Sequence, residues 1–372
     1  MIRIILLDVD GVLVQPSGYR AALRATVNHF IGPEFDVREE LLTELEKRGI
    51  SSEWDMVPLL VASYWNDLLS RQTISQLPSD VASAALKINC QGGVEVPSYL
   101  SIPEFSLVQG QYPAETALHA GHFTALPLDL RRNLLMNTRD IYQSQTMRIF
   151  QHFTLGSEKF AQTYKLSPEF ETESLLLTDD RSNITNEIRT KLSRSNHSLA
   201  VFTSRPSLPP REVDESTVGY APEAELALEL VGLSDTPLIA FGKLEYIASQ
   251  YALDPATLVK PSAIHALAAV LAAWTGAELS ALQAALDWRA TDKLNAAFNH
   301  LPHSFELVVI EDTMGGIRSV CAAGEILGKA GFHVTVRPLG LTSGSAAKAF
   351  AFERAGIPYY ENWEKLILEL ES

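Results

Sequence analysis

The stretch Ile2-Arg3-Ile4-Ile5-Leu6-Leu7-Asp8-Val9-Asp10-Gly11 decides how the rest of the chain is read. Ile2 to Leu7 is a continuous β-rich apolar run, as expected of a strand buried on both faces of a parallel sheet. It ends directly in two carboxylates one residue apart, with a glycine beside them. Open α/β sheets bind ligands at the carboxyl ends of their strands, so chemistry is expected at Asp8 and Asp10. A D-x-D triplet alone is more often a solvated turn, because Asp and Gly are common turn formers. Its position after a buried strand changes that balance.

Working outward, the strand is followed by helical spacing at Gly18 to Phe30, Val37 to Lys47 and Trp54 to Ser70, with no strand between them. That breaks βαβ alternation and predicts an inserted domain. Residues 73–125 hold much of the turn chemistry, including Gly92-Gly93, Pro97, Pro103, Pro113 and Gly121, and read as irregular. Helical pattern resumes over Leu128 to Phe153 and Glu158 to Tyr164. After a helix at Asn186 to Ser195, apolar runs at Ser198 to Thr203, Leu238 to Phe241, Phe305 to Ile310 and His333 to Val336 alternate with helical stretches near Leu244 to Tyr251 and from Ala263. The expected fold is α/β: a Rossmann-like, doubly wound parallel sheet from residues 1–16 and 170–372, interrupted by a mainly helical domain at 17–169.

Composition narrows the partners. The 372 residues are 46% hydrophobic and 20% charged, enough for a large core and more than one domain. A net charge of -15 repels nucleic acid and anionic membranes at long range, so neither is expected as a partner. Any phosphate must then be held by local donors or a metal. Cys90 and Cys321 lie far apart and outside any C-x-x-C spacing, which suggests neither a disulfide framework nor a thiolate metal site, and a reducing cytoplasm is the expected location. The first ten residues lack the basic start and small-residue cleavage site of a signal peptide. The longest apolar segment, Ile264 to Trp274, is too short to span a bilayer.

Three further segments complete a pattern with Asp8 and Asp10. The run Leu199-Ala200-Val201-Phe202 delivers Thr203 and Ser204, whose hydroxyls and backbone N–H groups could hold a phosphate oxygen. Lys260-Pro261-Ser262 offers a cation just before a helix, with Pro suited to the first turn. Val308-Val309-Ile310 is another buried run, ending in Glu311-Asp312-Thr313 with Gly315-Gly316 after it. Singly, these are a helix cap, a surface lysine and a helix-start acid pair.

Together, in this order and context, they resemble the four signature motifs of the haloacid dehalogenase superfamily. The resemblance covers the sheet domain only. It implies that Asp8 is a nucleophile, Asp10 a general acid/base, Thr203 and Lys260 phosphate ligands with Ser204 beside them, and Glu311 and Asp312 the acids of the fourth motif. It also implies magnesium, held by Asp8, the backbone carbonyl of Asp10 and Asp312, with Glu311 in support. True dehalogenases and phosphonate-cleaving members lack an acid at the position of Asp10, so the implied reaction is hydrolysis of a small phosphorylated metabolite. Glu311-Asp312-Thr313 with Gly316 looks most like the branch of phosphoglycolate phosphatases and β-phosphoglucomutase. The segment Val14-Gln15-Pro16-Ser17 departs from both, without the Asp-Thr or Asp-Ser usual there. The inserted helices fall where that branch carries a cap, which would choose the substrate.

Two other function classes share these residues: a sugar-phosphate phosphomutase and a non-catalytic phosphate-binding regulator. Arg20 and Arg205 are candidate substrate contacts, each weighed against an ion-pair role. His119 and His122 have i, i+3 spacing without a third ligand, and Asp179-Asp180 reads as the turn into the next helix.

Overall fold

In the computed structural model of the protein, residues 2–72, 74, 76–90, 100–194, 196–214 and 217–371 are described. The chain divides into two compact units, Met1–Pro16 with Asp180–Ser372, and Ser17–Asp179. The second unit therefore runs ten residues past 169. Phe170 and Leu175 pack on its core, and the carbonyl of Leu175 lies so close to Gly18 that a Cβ there would meet it at 2.6 Å.

The first unit is built on a six-stranded sheet. Its strands are β1 (Arg3–Leu7), β4 (His197–Phe202), β5 (Leu238–Ile239), β6 (Ser304–Glu311), β7 (His333–Leu341) and β8 (Tyr359–Tyr360). A separate two-residue ribbon pairs β2 (Val14–Gln15) antiparallel with β3 (Arg181–Ser182). The large sheet runs β5-β4-β1-β6-β7-β8, every pair parallel. The chain winds outward from β1 to one edge and then to the other, so β1 and β6 flank the switch point.

Alternation along β1 explains why its run is apolar throughout. Ile4 and Leu6 enter one core with the helices Ala263–Thr275, Glu278–Thr291 and Met314–Lys329. Ile5 and Leu7 enter another with Asn186–Leu192, Glu223–Val231 and Trp363–Glu371. Helices thus cover both faces, as a parallel sheet requires.

The second unit is helical: Gly18–Ile31, Glu39–Lys47, Glu53–Arg71, Val81–Asn89, Pro113–His119, Leu128–Leu135, Gln145–Leu155, Ser157–Tyr164 and Leu175–Asp179. Two expectations are corrected here. The expected helix over Leu128 to Phe153 is broken: Met136 turns extended, Asn137 has φ 54°, and Ser144 caps the next helix by accepting from Met147 N. The segment 73–125 is not irregular throughout. Asp80 caps Val81–Asn89 by accepting from Ser83 N, and Pro113 opens a second short helix. Gly92-Gly93 and Pro97 lie outside the described residues. Among the described residues, no helix is long and apolar enough to cross a membrane.

Candidate active site

Pairing in the sheet carries the separated motifs to one place. Leu7 is in register with Val201 of β4 and Ile310 of β6. The next residue, Asp8, donates its backbone N–H to Ile310 O at 3.1 Å. Asp8, Thr203, Glu311 and Asp312 therefore all emerge at the carboxyl ends of three adjacent strands. Two glycines allow the crowding. Gly11 has φ 73°, and a Cβ on it would come within 2.4 Å of Asp312 Oδ2. A Cβ on Gly316 would overlap Glu311 Oε1.

Lys260 ties two of these acids together. Its Nζ lies 2.8 Å from Asp8 Oδ1 and 2.6 Å from Glu311 Oε1, and 4.6 Å from the centre of the Phe202 ring. Burial works to lower the pKa of this ammonium, but Asp8 and Glu311 outweigh it and hold it above the ordinary lysine range. The Lys260 backbone N–H donates to His265 Nδ1 at 3.2 Å, and His265 Nε2 lies 2.9 Å from Ile239 O. Burial, with the nearby Lys260 charge, pushes His265 down to about 3, so the ring is neutral and Nε2 is the donor. His265 thus fixes the lysine's backbone.

The acids repel one another. Glu311 is pushed up to about 8, first by burial and then by the Asp8 charge, against the opposing pull of Lys260. Its Oε2 accepts from the N–H and hydroxyl of Thr313. Asp312 is also raised, by burial and by Asp8, although Lys348 and Lys260 pull the other way. Lys348 is ion-paired to Asp312 Oδ2.

Among the described residues, Asp8, Glu311 and Asp312 each offer one ligand atom, all within 4.8 Å of one another. The donor set could hold a hard cation: it is oxygen-only, buried and over-charged with carboxylates. A divalent cation there would relieve the repulsion that raises Glu311 and Asp312.

Asp10 is held separately. Arg205 Nε donates to both of its carboxylate oxygens at 3.0 Å, and Arg205 Nη2 bonds Asp10 Oδ1 and, at 2.9 Å, Asp180 Oδ2. Arg205, weighed in the sequence between a substrate contact and an ion pair, is a buried side chain paired with two aspartates. Asp180, expected to be only a turn residue, is likewise buried. Thr203 is buried at the end of β4, donating its N–H to Ile239 O and accepting from Arg205 N, while Ser204 is exposed.

Arg20 belongs to the helical unit, where its guanidinium engages Glu46, Glu39 and Glu53. His119 Nδ1 faces Gln111 Oε1, and His122 packs near Phe105 and Phe123; neither joins the acid cluster. Reading the sequence overlooked Lys348 and the role of His265, and took Asp180 only for a turn residue. Lys348 and Asp180 acquire their roles from partners distant along the chain, Asp312 and Arg205, whereas His265 lies close in sequence to the lysine it fixes.

No family model matches the chain, and no curated protein matches it. Among solved structures it is similar to an X-ray structure described as a Northeast Structural Genomics Consortium target, with a TM-score of 0.67 and 13% identity, covering 100% of this chain and 98% of that one. At that identity the likeness is one of fold: a mixed α/β, Rossmann-like architecture with a six-stranded parallel sheet flanked by helices.

Proposed function

We propose that the protein is a magnesium-dependent phosphatase of the haloacid dehalogenase superfamily, acting on a small phosphate monoester through a covalent phosphoryl group on Asp8. The observation that carries this reading is the Lys260 ammonium bridging Asp8 and Glu311 at the ends of neighbouring strands, with Asp312 in the same acid cluster. Buried pairs of this kind are poor stabilisers, so three acids gathered around one lysine fit a ligand site better than a packing device. The order of the four motifs along the chain supports the same family. The helical unit, inserted between the first motif and the second, is its cap in this reading.

Magnesium, held by Asp8, Glu311 and Asp312, would supply positive charge against the phosphoryl oxygens. Lys260 neutralises Asp8 and the incoming phosphate as a point charge, while Thr203 and Ser204 offer hydroxyl and backbone donors to it. An Asp8 oxygen attacks phosphorus, and the phosphorus–oxygen ester bond breaks with its electron pair going to the leaving oxygen. That oxygen takes a proton from Asp10. Water then attacks the phosphorus, gives its proton to Asp10, and the bond to Asp8 breaks to restore the carboxylate.

The test is phosphate release from p-nitrophenyl phosphate, lost on chelation and restored by magnesium. Asp8→Asn should lower the rate by a factor on the order of 10³ or more, with an unchanged unfolding temperature. A rate near that of the wild type in Asp8→Asn would sink the proposal.

A further inference from the structure

Asp10 has a backbone fixed by its neighbours. Its peptide bridges to Val14, and Gly11 N donates to Val14 O at 2.8 Å, which closes the loop after β1. The loop is then stapled to the returning chain, since Asn183 N donates to Leu13 O at 2.8 Å and β2 pairs with β3. The Asp10 side chain is 36% exposed, in contrast to Arg205 at 2% and Asp180 at 1%. What selects its direction is the Arg205 fork, which takes both carboxylate oxygens at once.

Arg205 is itself fixed at two levels. Its backbone N–H donates to Thr203 Oγ1 and its carbonyl accepts from Phe241 N at 3.0 Å. Its Nη2 is anchored on Asp180, the first residue of the returning segment, directly before β3. A guanidinium is planar and rigid, so fixing one edge on Asp180 sets the plane in which the other edge meets Asp10.

We infer that Asp180, acting through Arg205, is a positioning residue for Asp10. It sets the orientation of the carboxyl that moves the proton and never touches the substrate. This rests on the reading of Asp10 as the acid/base. A misdirected acid costs most where the leaving oxygen is basic and needs the proton, and least where it departs unaided. A role in packing alone would lower both reactions alike.

The experiment compares kcat/KM on β-glycerol phosphate and on p-nitrophenyl phosphate for the full-length protein with magnesium. This ratio reports the steps through loss of the leaving group and leaves out the later hydrolysis. Asp180→Asn should reduce kcat/KM about 10- to 100-fold on the alkyl ester and less than about threefold on the aryl ester. Arg205→Lys, which retains the charge but loses the fork, should show the same asymmetry, and Asp180→Glu should recover part of the alkyl activity. Equal losses on both esters, no loss on either, or failure of both Asp180→Asn and Arg205→Lys to fold would overturn the inference in favour of a structural pair. A wild-type protein inactive on both esters would instead overturn the phosphatase reading itself.

Discussion

The helical unit and the sheet unit both bury carboxylates, and they neutralise them differently. Asp55, fully buried in the first turn of Glu53–Arg71, accepts from Thr138 Oγ1 at 3.1 Å and from Arg139 Nη2 at 2.8 Å. Arg139 is in turn stacked over Tyr112, 4.5 Å from its ring centre, and near Trp54. One acid thus has one cation and a hydroxyl, and a helix N-terminus besides. In the sheet unit three acids crowd together against Lys260 and Lys348, and two of them are raised in pKa. The first arrangement serves the fold. The second holds like charges together at a cost to stability.

Removing each kind of acid should break stability in opposite directions. The largest change is expected for Asp55→Ala, which strands buried Thr138 and takes a carboxylate partner from Arg139. Loss of one member of a buried pair costs about 3–5 kcal/mol, and the lower end applies because Arg139 is a third exposed. Urea unfolding would read a loss of about 3 kcal/mol. A loss below about 1 kcal/mol would remove the contrast.

Asp312→Asn should act the other way when divalent cations are chelated. Because burial and Asp8 raise the Asp312 pKa, the folded state binds its proton more tightly than the unfolded chain does. Stability therefore falls as pH rises from the ordinary aspartate range through the raised value, and the penalty is fully present above it. An amide removes that penalty, so the variant should gain stability at neutral pH and lose the gain in acid. Under the proposed function, saturating magnesium should reverse the order, because binding to the folded state would stabilise the wild type. Thermal unfolding in chelator and in magnesium, at acid and neutral pH, checks both signs. A variant less stable than the wild type in chelator at neutral pH would place Asp312 with Asp55 as a structural acid.

This contrast also marks how far the site was legible in the sequence. β1 could be read because a continuous apolar run has one good use in an α/β chain, and Asp8 and Asp10 followed from where it ends. Lys260 carries no local signal and was found through the order of the motifs. Asp180 and Lys348 were missed for a physical reason: each is an ordinary polar residue locally, and its partner, Arg205 or Asp312, is supplied by the fold. The helix Val81–Asn89 was overlooked because nine residues give only about two and a half turns of periodicity, and its capping aspartate sits among turn formers. For Arg205 the sequence offers either a substrate contact or an ion pair; the fold supplies ion pairs with Asp10 and Asp180, because a sequence shows the charge and hides which acids will face it.

Arg20 gives the smallest expected effect and the sharpest check on the division of labour between the units. From its closeness to Asp8 along the chain it is a natural candidate to read a leaving group. In the helical unit, however, its guanidinium is surrounded by Glu46, Glu39 and Glu53, and its Nη1 lies 3.5 Å from Met56 Sδ. The three glutamates are partly or largely exposed, so the pairs are screened and together contribute no more than about 1 kcal/mol. An arginine already committed to three carboxylates would have to leave them to bind an anionic substrate. Arg20→Ala should therefore cost less than about 1 kcal/mol in urea unfolding, chiefly through lost packing of its stem. It should also change kcat/KM on β-glycerol phosphate and on p-nitrophenyl phosphate by the same factor, within about twofold. A selective loss on one ester would show that the glutamates hold Arg20 ready for substrate, and would move part of the recognition into the helical unit.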